Sequence, residues 1–166
     1  MRVLMLLLTL ACVTLSCSRS PSANLAEIEA NAAKVAHPSP SPPFEPLTSE
    51  TVFNAIKAVD MPMTNIVVYT DETDTNHLLG RPHQYVGKIN WADTRAKGDF
   101  DKNPNTIEVF MNAEDLEARK TYVDAISKAS PMFNQYIYSH KNVLLRLTHN
   151  LLPKDAAEYE RILKSL

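Results

Sequence analysis

The sequence predicts an α+β domain, a two-layer sandwich in which about five mainly antiparallel strands carry two or three helices packed on one face. Segments with helical periodicity alternate with β-branched segments, in the order helix, three strands, helix, two strands and helix. A short turn joins the last two strands, and such a hairpin is antiparallel. The chain is 45% hydrophobic, which is enough for a core in the single domain predicted over residues 47–166.

The first part of this domain is predicted to contain one helix and three strands. Thr48 is a typical N-cap residue for a helix over 49–59. Apolar residues recur along one face of this helix, at Val52, Phe53, Ile56 and Val59. β-branched and aromatic residues then predict strands over 65–70, 84–92 and 106–111.

The next part is predicted to contain a long helix and a hairpin. Asn112 is positioned to cap a helix over 113–128. The inner side of this helix is expected to carry Leu116, Val123 and Ile126. Alternating apolar residues predict the two hairpin strands over 134–139 and 142–148, with the turn at His140-Lys141.

The last helix is predicted to begin at Pro153, because proline is favoured in the first turn of a helix. Leu152 precedes it, where a Ser or Thr N-cap would be usual. Its buried stripe is expected to consist of Tyr159, Ile162, Leu163 and Leu166. Residues 142–147 and 152–159 together resemble the ending of uncharacterised small bacterial lipoproteins, a resemblance that implies no activity.

Residues 1–16 are predicted to form a secretory signal peptide. Arg2 supplies the positive start, residues 3–15 are almost wholly apolar and uncharged, and a small residue ends the segment at Ser16. A membrane-spanning helix needs roughly 20 apolar residues, and this run is shorter. The pattern therefore predicts export rather than a transmembrane anchor.

The stretch Val13-Thr14-Leu15-Ser16-Cys17 resembles the lipobox of bacterial lipoproteins. The resemblance implies that Cys17 is diacylated on sulfur and becomes the mature N-terminus. The lipid at Cys17 would then attach this end of the protein to a membrane, its expected partner. The protein would then be lipid-anchored and extracytoplasmic, on the cell membrane or the outer membrane. Cys12 is a rival site because it follows Thr9-Leu10-Ala11, and secretion without a lipid is a further alternative.

Residues 17–46 are predicted to be the lipid-anchored tether, which is rich in Ala, Pro and Ser. Proline alternates with serine over His37–Pro43, and such a density of proline favours an extended polyproline II chain. The segment would hold the domain away from the membrane. The alternative is that it serves as a proline-rich ligand for the aromatic groove of a partner.

Composition and charge exclude several classes of function. The formal net charge is −2 and becomes −3 when Arg2 leaves with the signal peptide, so nucleic acid is not an expected partner. Both cysteines precede residue 18, and three glycines are too few for a glycine-rich phosphate loop. The motifs G-x-S-x-G and H-E-x-x-H do not occur. Neither catalysis nor a tightly bound cofactor is therefore expected.

A weak calcium site is one interpretation of the segment from Asp99 to Asn105. Asp99, Asp101 and Asn103 place oxygen atoms at alternate positions, as in a D-x-D-x-N calcium loop. A complete EF-hand loop is excluded, because Pro104 stands where the loop requires glycine. The other interpretation is a solvated turn, since Asp, Asn and Pro are common turn residues.

The loop over 71–85 is the predicted ligand-binding segment. Arg81 is suited to hold a carboxylate or a phosphate through two hydrogen bonds. His77 and His83 have side chains that titrate near neutral pH or bind metals, and Asp74 adds a carboxylate. The alternative is that Arg81 pairs with an acid of the same loop at the surface.

The first functional hypothesis is a membrane-anchored cell-envelope lipoprotein that acts as a non-catalytic binding or interaction module. Its expected partner is an envelope protein or a small ligand, captured by the loop over 71–85. The alternatives are an envelope hydrolase with an unrecognised site and a calcium-stabilised structural lipoprotein.

Overall fold

Three helices and five strands make up the domain in the computed structural model, which describes residues 46–98 and 104–166. The elements are α1 Ser49–Lys57, β1 Met63–Val68, β2 Gly87–Asp93, β3 Asn105–Val109, α2 Ala113–Ala129, a 3-10 helix Pro131–Phe133, β4 Gln135–His140, β5 Val143–Thr148 and α3 Pro153–Lys164. This order confirms the α+β class. The predicted signal peptide, Cys17 and residues 17–45 of the tether lie outside the described residues.

The five strands form one sheet in the order β1-β2-β3-β5-β4. Every pairing is antiparallel, as predicted. The hairpin β4–β5 enters the sheet with β5 next to β3, which leaves β4 at one edge and β1 at the other. In this register Ile107 of β3 lies between Ile89 of β2 and Leu145 of β5.

Helices α1 and α3 cover one face of the sheet, which confirms that two helices share a face. Val52 and Ile56 of α1 and Tyr159 and Leu163 of α3 are completely or almost completely buried. They belong to one core with the strand residues Trp91, Ile107, Val109, Val143, Leu145 and Leu147. The indole Nε1 of Trp91 donates to the hydroxyl of Tyr159 over 3.3 Å.

Helix α2 covers the opposite face, so the sheet has helices on both sides rather than on one. Arg119 of α2 donates to Glu108 of β3, and Glu108 points away from its neighbours Ile107 and Val109 because side chains alternate along a strand. All five residues of β3 are buried, which requires cover on both faces. The prediction placed the helices on one face because a two-layer sandwich is the simplest way to bury a sheet. The charged residues on the second face are typical of a solvent-exposed surface in sequence, so the sequence does not indicate that α2 covers them.

The helix caps follow the sequence, whereas the hairpin turn lies one residue later than predicted. Thr48 caps α1 and Asn112 caps α2 through side-chain oxygens, and α3 has no side-chain cap. His140 pairs with Val143, so the turn is Lys141-Asn142. Asn142 is buried there, and its side chain hydrogen bonds with Leu47 and Phe110 backbone groups, which holds the turn in this register.

Candidate functional site

A cavity of about 980 Å³ lies between α2 and the sheet face that α2 covers. Its sheet wall is polar and consists of Lys88, Asn90, Thr106, Gln135, Arg146 and Thr148. Its helix wall is largely apolar and includes Tyr122, Val123, Ile126, Ala129, Met132 and Phe133. The volume is within the range of small-molecule sites, which is roughly 300 to 1,000 Å³.

Glu108 binds two arginines that line this cavity. Arg119 binds the Glu108 carboxylate with two hydrogen bonds, from Nε over 3.1 Å and from Nη2 over 2.9 Å. Arg146 Nη2 donates to the same carboxylate over 2.8 Å. Burial alone would raise the pKa of Glu108, but the charges of Arg146 and Arg119 outweigh burial and hold it below its usual range. Glu108 therefore remains ionised and fixes both guanidinium groups.

Asp74 holds the third cation of the site. Its carboxylate accepts hydrogen bonds from Lys88 Nζ over 2.7 Å and from the Tyr85 hydroxyl over 2.6 Å. The backbone N–H groups of Leu78 and Leu79 donate to it over 3.0 and 3.1 Å, and that of Asn76 over 3.4 Å. Burial opposes the charge of Asp74, yet these hydrogen bonds keep its pKa well below the usual value. The Lys88 ammonium also lies 4.4 Å from the centre of the Tyr69 ring.

The five charged side chains of this site carry one more positive than negative charge. Lys88, Arg119 and Arg146 face the carboxylates of Asp74 and Glu108 only, within the part of the chain that the structure describes. The three cations line the cavity, while neither carboxylate does. A cavity wall of this kind attracts an anion, because an uncompensated buried charge is costly without a partner.

Two side-chain atoms of lining residues lack a hydrogen-bond partner. Among the described residues, Asn90 Oδ1 and Arg146 Nε are buried and make no hydrogen bond. Such atoms are uncommon, since buried polar groups are nearly always paired. Both atoms belong to residues that line the cavity, so this polar wall has hydrogen-bonding capacity that the described protein groups do not use.

The structure separates the four residues of the predicted binding loop. Asp74 is fully buried at the base of the loop, whereas Arg81, His77 and His83 are exposed. Nδ1 of His83 lies 3.0 Å from a carboxylate oxygen of Asp115, the first-turn acid of α2. Five groups donate hydrogen bonds to the Asp74 carboxylate, and Arg81 is not among them. Capture of a ligand by Arg81 stays a prediction.

Sequence reasoning missed the charged strand residues of the site. Lys88, Glu108 and Arg146 each stand between apolar or small residues of a strand, and each was compatible with a solvent face. The three residues share one feature in the sequence. Each is a charged residue within its strand, at a position whose side chain points to the sheet face that α2 covers. Their convergence with Arg119 depends on the strand order, which periodicity does not provide.

The predicted calcium ligands Asp99, Asp101 and Asn103 lie outside the described residues, so this site stays a prediction. Within residues 46–98 and 104–166, no group of three or more His, Cys, Asp or Glu side chains is placed to hold a metal ion. No helix in these same ranges is long and apolar enough to cross a membrane.

Comparisons of this chain with protein-family models, with curated proteins and with solved structures give no match.

Proposed function

We propose that this protein is a membrane-anchored cell-envelope lipoprotein whose folded domain is a non-catalytic binding module. The ligand site is the cavity between α2 and the sheet, and the ligand is a small organic anion. The membrane attachment rests on the signal peptide and on the lipobox-like residues that end in Cys17.

The uncompensated positive charge of the cavity is the observation that carries this function. Lys88, Arg119 and Arg146 line the cavity, and only two carboxylates balance them among the described residues. Arg146 uses only one N–H group, on Glu108, and its buried Nε is without a partner in the described ranges. A carboxylate or a phosphate fits an arginine in this state, because both offer paired acceptor oxygens.

The protonation states of the two carboxylates favour binding over hydrolysis. A general acid or base works best when its pKa lies near the operating pH. The pKa values of Asp74 and Glu108 are both held below the usual range by their cationic partners. Both groups are therefore fixed counterions, which suits a site that holds an anion.

Acetate binding to the full chain tests this function. The ¹⁵N-labelled protein, in a neutral detergent, is titrated with acetate while NMR follows the arginine Nε–H signals. We expect a saturable shift of the Arg146 signal. Arg146→Gln, followed through the Nε–H signal of Arg119, which also lines the cavity, should weaken acetate binding about tenfold, as expected for loss of a charged hydrogen bond. Arg146→Lys keeps the charge beside Glu108 and should weaken binding as well, because an ammonium group lacks the planar, paired N–H donors of a guanidinium group.

Acetamide and an Arg81→Gln variant are the matched controls. Acetamide is close to acetate in shape but uncharged, so it should not shift the Arg146 signal. Arg81 is an exposed arginine of the predicted loop, and its replacement should leave acetate binding unchanged. Loss of binding in Arg81→Gln alone would move the site to the loop. Absence of any saturable shift with acetate would overturn the cavity as an anion site.

A further inference from the structure

We infer that the ligand is an amphipathic organic anion, which enters the cavity with its acidic group first and leaves an apolar body against the outer helix wall. This inference rests on the proposed function, because it assigns a chemical class to the ligand of the same cavity.

The cations form the inner end of the cavity. The side chains of Lys88, Arg119 and Arg146 are only 4%, 11% and 18% exposed. Glu108 and Asp74, completely buried, hold them from behind. An acidic group that reaches these cations is removed from bulk water, where charge interactions are less screened and therefore stronger.

The outer end of the cavity is an apolar lip, formed by Tyr122, Met132 and Phe133. These residues are 58%, 76% and 53% exposed, among the most exposed large hydrophobic residues of the described chain. They follow one another along the last turns of α2 and the 3-10 helix, where Ile126 also lines the wall. A methionine and two aromatic rings adapt readily to an aliphatic chain or an aromatic ring.

The two ends together define the class of ligand. A small inorganic anion would satisfy the cations but leave the lip exposed, and a neutral apolar molecule would leave the inner positive charge uncompensated. An acidic group joined to an acyl chain or to an aromatic ring satisfies both ends. The cavity volume of about 980 Å³ leaves room for such a body.

The affinity gained from an apolar body tests this inference. The full chain, at a fixed concentration of neutral detergent, is titrated with acetate and with 4-phenylbutyrate, and the Arg146 Nε–H signal reports both. Burial of the phenylpropyl group should tighten binding about tenfold or more. The neutral analogue 4-phenylbutanol should bind at least about tenfold more weakly than 4-phenylbutyrate, because it lacks the charge.

Substitutions of the lip locate the apolar contact. The double variant Met132→Ser, Phe133→Ser should abolish the gain of 4-phenylbutyrate over acetate while acetate binding stays the same. Met111→Ser is the matched control, since Met111 is 73% exposed but does not line the cavity. This variant should keep the full gain.

The outcomes separate this inference from the proposed function. Equal binding of acetate and 4-phenylbutyrate at Arg146, or a gain that survives the lip substitutions, overturns the amphipathic ligand and leaves the anion site in place. Equal binding of 4-phenylbutanol and 4-phenylbutyrate overturns it too, because the acidic group would then be irrelevant. Failure of both anions to bind overturns the inference and the proposed function together.

Discussion

Among single residues, Asp74 has the largest structural role in the candidate site. It joins the loop that follows β1 to the sheet through Lys88 of β2, and it accepts a second hydrogen bond from the Tyr85 hydroxyl at the end of the loop. Both members of the Asp74–Lys88 pair are almost fully removed from solvent. Removal of one partner from such a pair leaves an unpaired buried charge, which typically costs about 3–5 kcal/mol.

We expect Asp74→Asn to lower the free energy of unfolding by about 3–5 kcal/mol at pH 7. The loss should depend on pH, because the pKa of Asp74 in the folded protein lies below its unfolded value. The stabilisation by the carboxylate is complete above the unfolded pKa, near 4, and decreases as the pH falls from there toward the folded pKa. The difference in stability between the variant and the natural protein should therefore be smaller at pH 3 than at pH 7, without vanishing there.

Urea denaturation of the full chain at pH 7 and at pH 3 measures both free energies. Asp71→Asn is the matched control, because Asp71 is an exposed acid of the same loop; it should change stability by less than about 0.5 kcal/mol. A difference between Asp74→Asn and the natural protein that is as large at pH 3 as at pH 7 would show that the charge of Asp74 is not responsible.

At the scale of secondary-structure elements, the close approach of α1 to β2 depends on Gly87. A Cβ atom on Gly87 would lie 2.8 Å from the Oγ of Ser49 and 3.3 Å from its Cβ. Ser49 is the first residue of α1, and it is buried. Glycine at the start of β2 is thus a packing requirement, which lets the first turn of the helix rest on the sheet.

Gly87→Ala should lower the free energy of unfolding by about 1–3 kcal/mol, as is usual when a methyl group is forced into a packed interface. Ser49→Ala removes the nearer of the two contacts, so the double variant should be more stable than the sum of the single effects by about 0.5 kcal/mol or more. Urea denaturation measures the free energy of unfolding of the natural protein, of both single variants and of the double variant, which completes a double-mutant cycle. Additive effects would contradict the proposed contact.

The elements themselves are largely readable from the sequence, because local chemistry decides them. Asn112 caps α2 as predicted, and Pro153 begins α3 without a side-chain cap. The hairpin turn is the exception: Lys141 takes a left-handed backbone conformation, and buried Asn142 bonds to distant backbone groups of Leu47 and Phe110. A sequence pattern of neighbouring residues carries no information on contacts between residues that are far apart in the chain.

At the scale of the whole molecule, the candidate site depends on strand order more than on any motif. Arg146 meets Glu108 because β5 lies beside β3, and Arg119 reaches the same carboxylate from the helix above. The predicted loop contributes Asp74 as an internal anchor, which its sequence did not distinguish from the exposed residues Arg81 and His77. A charge on a strand has the same sequence signature whether it faces water or a covered cavity, so the site required the tertiary structure.

The N-terminal sequence predicts that the folded domain acts at a membrane. Cleavage before Cys17 and acylation of its sulfur would hold the protein on a membrane, because two or more acyl chains give stable anchoring whereas one chain binds weakly. The intact mass of the protein from its host's membranes should equal that of residues 17–166 plus a diacylglyceryl group, with or without a third acyl chain. Cys17→Ser should lose the lipid mass and leave the membrane fraction.

Cys12→Ser is the matched control for this anchor, since Cys12 is the rival site within the same apolar segment. That variant should retain the lipid mass and remain with the membranes. Retention of the lipid in Cys17→Ser, together with its loss in Cys12→Ser, would assign the anchor to Cys12. The mature chain would then be five residues longer. An unmodified protein recovered from the medium would instead make the anion-binding domain a diffusible one, because no acyl chain would then oppose its release.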